Sequence, residues 1–532
     1  MAMAWQHSTS VYQIYPRSFY DSNGDGIGDI QGIIQKLDYI QSLGFETIWI
    51  SPFYCSPQED FGYDISDYCN IAPEYGTMQD VEQLINEVHQ RNMKIVLDMV
   101  MNHTSDKHHW FLESKNSKNN PKADWYIWRD KPNNWKSIIG PKAWHYCEER
   151  QQYYYASFLP FQPDLNYRNP EVKQAMFDVC RFWLQKGADG FRLDIFNCII
   201  KDKDFRDNPF SLLHAFPTED YPGGNFQIRK YSLNQDENFA LAQELRQVID
   251  EFSPPRILIG EVFGKHELKK KYLGNNDGLH LIFLFEMLFY KFKANFFRKQ
   301  IISFNEHYAA PLMPTMVFCN HDYYRSIRRV KNNIEKAKVL AFLQLTLRGV
   351  PTVYNGEEIG MQNGKISIKN GKDALAKVYS WVPQFIANVL PVAINRDNCR
   401  TPMQWNNEKN AGFSSADKTW LPVNEHIGDR HVAAQENDEH SLMAVFKSLL
   451  HLRREMPALH SGDIDIIKTN HQHILGFSRT FENEKLVLLV NFSDAPISNS
   501  INVPVKAFIY SLKQKKNFDG KLDAYDAVIL KI

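Results

Sequence analysis

The sequence predicts an α/β chain built on a (β/α)8 TIM barrel, with a subdomain inserted after strand three and a C-terminal antiparallel β-domain. Three observations carry that expectation. Eight strand-like runs alternate with mostly helical patterns between residues 10 and 460, which is the count and order of such a barrel. No G-x-G-x-x-G follows the first strand, which argues against a doubly wound open sheet. Beyond residue 460 the pattern changes to short strands separated by polar turns.

The elements follow in order. SVYQIYP (10–16) reads as the first strand, and IIQKLDYIQSLG as one helix with Ile33, Leu37, Ile40 and Leu43 on a face and Gly44 ending it. FETIWIS (45–51) is the second strand. A helix follows with Val81, Leu84, Ile85 and Val88 inward and Thr77 and Asp80 as a capping box. KIVLDMV (94–100) is a near-continuous apolar strand, as expected where helices cover both faces of a parallel sheet. With it ends the first part of the barrel, 1–103. Residues 104–167 lack clear periodicity and read as the inserted subdomain. The barrel resumes over 168–460 with the helix PEVKQAMFDVCRFWLQKG, which has Asn169 as cap and Pro170 at its first position. The remaining strands are GFRLD (190–194), ILIGEV (257–262), HLIFLFE (280–286), PTMVFCN (314–320) and PTVYNG (351–356). A segment at 361–430 interrupts the eighth unit before the helix SLMAVFKSLLHLRREM, and 461–532 form the β-domain.

Composition excludes several functions. Lys and Arg (61) nearly balance Asp and Glu (62), so nothing electrostatic points to nucleic acid or an anionic membrane as partner. Seven scattered cysteines without C-x-x-C or a Cys/His cluster argue against zinc and against a disulfide framework. No signal-like start or membrane-length apolar run is present, which leads us to expect a cytoplasmic protein, monomeric or homodimeric. The aromatic content of 13% suits a pocket that stacks on sugar rings.

In such a barrel the reactive residues sit at the C-terminal ends of the strands. Those positions carry Asp98 and His103, Arg192 and Asp194, Glu261, and His321 with Asp322. Three carboxylates, Asp194, Glu261 and Asp322, would converge on one mouth, and glycoside cleavage needs two: one to attack the sugar carbon and one to protonate the leaving oxygen. Arg192 shares a strand face with Asp194 and would hold it ionised. Glu261 follows the apolar run ILIG, where burial would keep it protonated as an acid.

With these residues in place, the chain resembles the α-amylase superfamily (glycoside hydrolase family 13), specifically its bacterial α-glucosidase and oligo-1,6-glucosidase branch. DMVMNH (98–103), GFRLD (190–194), GEV (260–262) and NHD (320–322) occur in order, joined by VYQIYPRSF, DFGYDISDY, FQPDLNYRNP and NRDNCRTPMQW. The resemblance implies that Asp194 is the nucleophile, Glu261 the general acid/base and Asp322 the third carboxylate, in a retaining, exo-acting hydrolase of small α-glucosides. It implies further that Asp64 and Arg400 pair to grip the terminal glucose, that Tyr63 stacks on it, and that His103 and His321 bind its hydroxyls. Phe158 is a candidate pocket wall. Ile195, just after the nucleophile, is β-branched like the valine that accompanies α-1,6 preference in this branch. NHDYYR and KDALAK (372–377) depart from the commoner pattern beside the pocket mouth. Transglucosylation, sucrose cleavage, and sucrose or trehalose isomerisation are the rival activities, although FLFEMLFYKF (283–292) lacks the Arg-x-Asp-Arg associated with sucrose isomerases. A non-catalytic, transporter-heavy-chain-like scaffold is a poor match, because all three carboxylates are intact.

One stretch, DSNGDGIGD (21–29), looks like a calcium loop, but the twelfth position from Asp21 is Gly32 and not the Glu an EF-hand needs. The resemblance implies instead a structural Ca²⁺ (or Mg²⁺) held by Asp21, Asn23, Asp25, Asp29 and the Ile27 carbonyl, with no organic cofactor.

Overall fold

Short apolar strands assemble into an eight-stranded parallel sheet: β1 (Val11–Ile14), β2 (Thr47–Ile50), β3 (Lys94–Val100), β4 (Gly190–Asp194), β5 (Ile257–Gly260), β6 (Leu281–Ile282), β7 (Thr315–Val317) and β8 (Val350–Tyr354). The computed structural model describes residues 5–218, 220–390, 392–424, 427–498 and 505–532. Pairing runs β6–β5–β4–β3–β2–β1–β8–β7, so the strands follow one another in chain order around a barrel. Between β6 and β7 a side chain replaces the ladder. The Leu284 N–H donates to Thr315 Oγ1 at 3.0 Å, and that hydroxyl donates to the Ile282 carbonyl at 2.9 Å.

Local chemistry explains the elements. The helix Met78–Gln90 begins with the expected capping box of Thr77 and Asp80, and Pro170–Gln185 begins with Asn169 accepting from Glu171 N–H. Two expectations are corrected. The helix expected after β1 is two helices, Ile30–Gln35 and Leu37–Leu43, separated by Lys36 at φ −109° and ψ 8°. There the Lys36 ammonium lies 4.1 Å and 4.5 Å from the rings of Tyr20 and Trp405, a cation–π attraction that rewards the break. The sixth strand, expected over 280–286, ends at Ile282. Leu284 gives its N–H to Thr315 instead of a strand, and a 3-10 helix, Phe285–Phe289, follows with Phe283 and Phe285 packed in the cluster around Trp49 and Val96.

The subdomain at 104–167 carries three short antiparallel strands, Trp128–Arg129, Trp144–Cys147 and Gln152–Tyr155. Its Asp164 is ion-paired with Lys201 in the loop after β4, which ties it to the barrel rim. The C-terminal strands β9 (Asp463–Ile467), β10 (Ile474–Phe481), β11 (Glu484–Asn491), β12 (Ala507–Ser511) and β13 (Ala527–Lys531) form an antiparallel sheet in the order β9–β10–β11–β13–β12. No described helix is long and apolar enough to cross a membrane.

Candidate active site

Strand register builds the floor of the site. β3 pairs with β4 so that Asp98 lies opposite Arg192, and β5 pairs with β4 so that Ile259 does, with Glu261 two residues further. The Arg192 guanidinium, buried at 1% exposure, therefore meets three carboxylates. Its Nη1 donates to Asp98 Oδ1 at 2.8 Å and to Asp194 Oδ1 at 2.8 Å, and its Nη2 donates to Glu261 Oε2. Trp49 Nε1 donates to Asp98 Oδ2 at 3.2 Å from β2.

Burial separates two of the carboxylates that open onto the cavity. It pushes the Asp194 carboxyl up, against the pull of Arg192, to about 6, and Glu261, with the charges of Asp194 and Asp322 added, to about 8. Near neutrality Asp194 is ionised and Glu261 protonated. Arg192 thus limits a rise at Asp194 rather than lowering that carboxyl below its ordinary value. Asp322 stands apart. Burial pushes it up, but the Arg396 and Arg400 guanidiniums outweigh that and hold it well below the usual carboxylate range.

His321 is fully buried and pushed down to about 3 by that burial, so it is neutral. Gln13 Nε2 donates to its Nδ1 at 2.7 Å, which leaves the proton on Nε2, 2.6 Å from the Tyr63 hydroxyl. The Tyr63 O–H in turn donates to Asp98 Oδ2 at 3.1 Å. His103, also lowered by burial, takes Asn102 Nδ2 on Nδ1 and directs Nε2 at the Tyr63 carbonyl.

These groups surround a cavity of about 550 Å³ at the C-terminal mouth of the barrel. Asp194, Glu261, Asp322, Tyr63, His103, Phe158 and Ile195 line it. Phe158 packs on His103 at 5.5 Å between ring centres. Arg192 and His321 lie behind that lining, in contact with residues that form it. Ile195 turns the chain out of β4 in the left-handed region, at φ 38° and ψ 50°, a conformation rare for a β-branched residue.

The pair expected from Asp64 and Arg400 does not form. Asp64 accepts from Ser56 Oγ and from the N–H groups of Glu59 and Asp60 at 2.9–3.0 Å, so it organises its own loop, and burial with the Asp60 charge pushes it up to about 7. Arg400 donates to the His321 carbonyl and to Asp322. The pair that faces the cavity is Asp60 with Arg396, Oδ1 to Nη2 at 2.5 Å, and both residues line it. Arg396 also reaches Asp322 at 3.1 Å and is braced by Asp373 at 2.7 Å. Gln162 completes the corner by donating to Asp60 Oδ2 at 3.1 Å. All three stand inside quoted motif blocks; the two acids and the two arginines are each four apart, so spacing alone could not rank them.

In the loop after β1, Asp21 accepts the N–H groups of Asn23, Gly24 and Gly26 and the Ser414 hydroxyl. Asn23 and Asp25 make the same kind of turn with Asp25 and Ile27. Asp29 caps Ile30–Gln35 through the Gly32 N–H. Burial and the facing Asp21 charge raise the Asp29 carboxyl, against bonds from Ser22 and Gly32. Among the described residues no three carboxylate, imidazole or thiol side chains gather at metal-binding spacing.

Residues 13–462 match the α-amylase family by its catalytic domain. A probable α-glucosidase of Rhizobium meliloti (strain 1021) is 40% identical over 507 residues, covering 92% of this chain and 90% of that protein. An oligo-1,6-glucosidase of Parageobacillus thermoglucosidasius is 37% identical over 527 residues, with 93% and 91% covered. The crystal structure of the α-glucosyl transfer enzyme XgtA superposes with a TM-score of 0.88 at 34% identity, over the whole of both chains. A barrel with its carboxylates at the strand ends, matched by that domain over most of its length, makes this chain a member of the α-amylase family.

Proposed function

We propose that the protein is a retaining, exo-acting α-glucosidase that removes terminal α-linked glucose from short saccharides. The observation that carries this is the split between two cavity carboxylates joined to one guanidinium, Asp194 ionised and Glu261 protonated. Asp194 attacks C1 while Glu261 protonates the glycosidic oxygen, which gives a β-glucosyl-enzyme. Glu261, now ionised, takes a proton from water, and water displaces Asp194 with net retention. Asp322, held ionised, favours the cation-like ring. The Asp60–Arg396 pair blocks the end of the cavity and binds the far hydroxyls, so only a chain end fits. Ile195 and the likeness to oligo-1,6-glucosidases favour α-1,6 over α-1,4 links. We place the enzyme in the cytoplasm, in keeping with seven free cysteines.

A panel of maltose, isomaltose, sucrose and trehalose, followed by NMR, tests the reading. Glucose released first as the α-anomer, fastest from isomaltose, is expected; a β-anomer overturns the mechanism, and a strong maltose preference overturns the linkage assignment. The kcat/KM profile should be bell-shaped. Activity falls as pH drops through about 6, where Asp194 becomes protonated, and as pH rises through about 8, where Glu261 loses its proton.

The side chains that the β1 loop offers are all oxygen donors, and the Asp21 charge adds to burial in raising Asp29, a donor set whose chemistry suits a hard divalent cation. Asp21, Asn23, Asp25, Asp29 and the Ile27 carbonyl would hold Ca²⁺ or Mg²⁺, which supplies charge neutralisation to the loop and takes no part in the reaction. Chelation by EDTA should then lower Tm by several degrees, about 1–2 kcal/mol or more of linkage at saturating metal. An unchanged melting curve counts against the cation.

A further inference from the structure

We propose that the protein has a second small-molecule site, a cavity of about 430 Å³ in the 361–430 region that takes an organic phosphate monoester. This cavity shares no lining residue with the catalytic one, and the proposal stands apart from the α-glucosidase reading. Its wall carries three cations, Lys365, Lys372 and Arg430, and among the described residues no aspartate or glutamate lines it. In a chain with 61 basic and 62 acidic residues, that excess of positive charge is local.

The two stretches that supply most of the wall are tied to each other. The Lys372 ammonium donates to the Trp420 carbonyl. Asn424 Nδ2 donates to the Gln362 carbonyl at 3.2 Å and to Gln404 Oε1 at 3.0 Å, and Gln404 Nε2 donates to the Arg430 carbonyl at 2.6 Å. The cavity is therefore preformed, and its volume suits a small organic ligand.

Its cations are not neutralised. Among the described residues none of the three makes an ion pair. Arg430 Nη1 and Nη2 donate to the Gly360 and Asn332 carbonyls, each at 2.7 Å, which satisfies N–H groups and leaves the charge uncompensated. Burial pushes that guanidinium down, and the attraction of exposed Asp429 offsets it only in part. Lys365 is exposed and without a hydrogen-bond partner, and the buried Nδ2 of Asn363, also in the wall, has none either. Asp373 and Asp397, in contact with the turn at Lys372, do not line the cavity. Asp373 is committed to Arg396, and Asp397 accepts the N–H groups of Lys372 and Asp373.

This chemistry selects the ligand. Three positive charges without a carboxylate repel a metal ion, and no aromatic ring among the described residues lines the cavity for a sugar or a base to stack on. A phosphate monoester carries close to two negative charges near neutral pH, and its oxygens accept several N–H bonds at once, which three cations and an unpaired amide donor match. Free phosphate would leave most of the volume unfilled, whereas an ester brings carbon to the half-buried Val423 and Ile427 of the wall.

Titration calorimetry of the protein with glycerol 3-phosphate, inorganic phosphate and glycerol tests the site. Glycerol 3-phosphate should bind once per chain and severalfold more tightly than inorganic phosphate, and glycerol should give no heat of binding. Lys365→Glu should weaken that binding roughly tenfold or more, because it sets a like charge against the ligand. Lys369→Glu makes the same change of net charge on an exposed residue outside the wall, and should alter binding by less than about twofold. Lys365 has no partner to lose, so the fold should survive its replacement, which a melting curve verifies. No binding by the unaltered protein, no loss in Lys365→Glu, or an equal loss in Lys369→Glu overturns the site. Inorganic phosphate binding as tightly as the ester overturns the assignment of the ligand.

Discussion

Asp194→Asn lowers kcat/KM on p-nitrophenyl α-glucoside by roughly four orders of magnitude or more, because the amide cannot form the ester intermediate. The fold should survive, since Asn keeps an oxygen for the Arg192 Nη1 bond now made at 2.8 Å. Glu261→Gln behaves differently in a way that identifies its role. An activated aglycone leaves without a proton, so p-nitrophenol appears in a burst. Turnover then stalls by about 10²–10⁴-fold, because nothing deprotonates the incoming water. The limb of the pH profile near 8 should vanish in this variant while the limb near 6 persists. Loss of the acidic limb instead would exchange the two roles, and substantial steady turnover by Asp194→Asn would remove the nucleophile from that position altogether.

The second large effect concerns the corner that holds the chain end. Arg396→Lys should cost about 10²–10³-fold in kcat/KM, or roughly 3–4 kcal/mol, since a point charge cannot replace a planar fork reaching Asp60, Asp322 and Asp373 together. Asp60→Asn should lose a comparable amount. Asp64→Asn should change kcat/KM by less than about tenfold, because that carboxyl only accepts bonds within its own loop. Steady-state kinetics on isomaltose, with circular dichroism to verify folding, decides it. A large loss at Asp64 with little at Asp60 would restore the pairing expected from sequence.

That pairing shows where sequence reading stops. Strand ends are legible because register follows from alternation: GFRLD fixes Arg192 and Asp194 on one face, and the run before Glu261 announces its burial. Loops carry no such rule. Asp60 and Asp64 share one loop, as Arg396 and Arg400 share another, and only the path of the backbone decides which side chain meets the cavity. Gln162 was invisible for the same reason: an amide in a loop has no periodicity to mark it. The early end of β6 was hidden by a Phe-rich run that suits a strand equally well, because a hydroxyl on a different strand, Thr315, takes up the N–H of Leu284.

Ile195 has a consequence for how this protein can be improved. A β-branched residue at φ 38° carries a backbone penalty of roughly 1–2 kcal/mol, which glycine or asparagine would largely relieve. Selection for thermal tolerance alone would therefore favour its replacement. Yet Ile195 directly follows the nucleophile, lines the cavity, and packs its side chain against Phe158 and Leu233. Heat resistance and turnover pull in opposite directions at this one position, so a campaign that ranks variants by melting point would discard activity there without registering the loss.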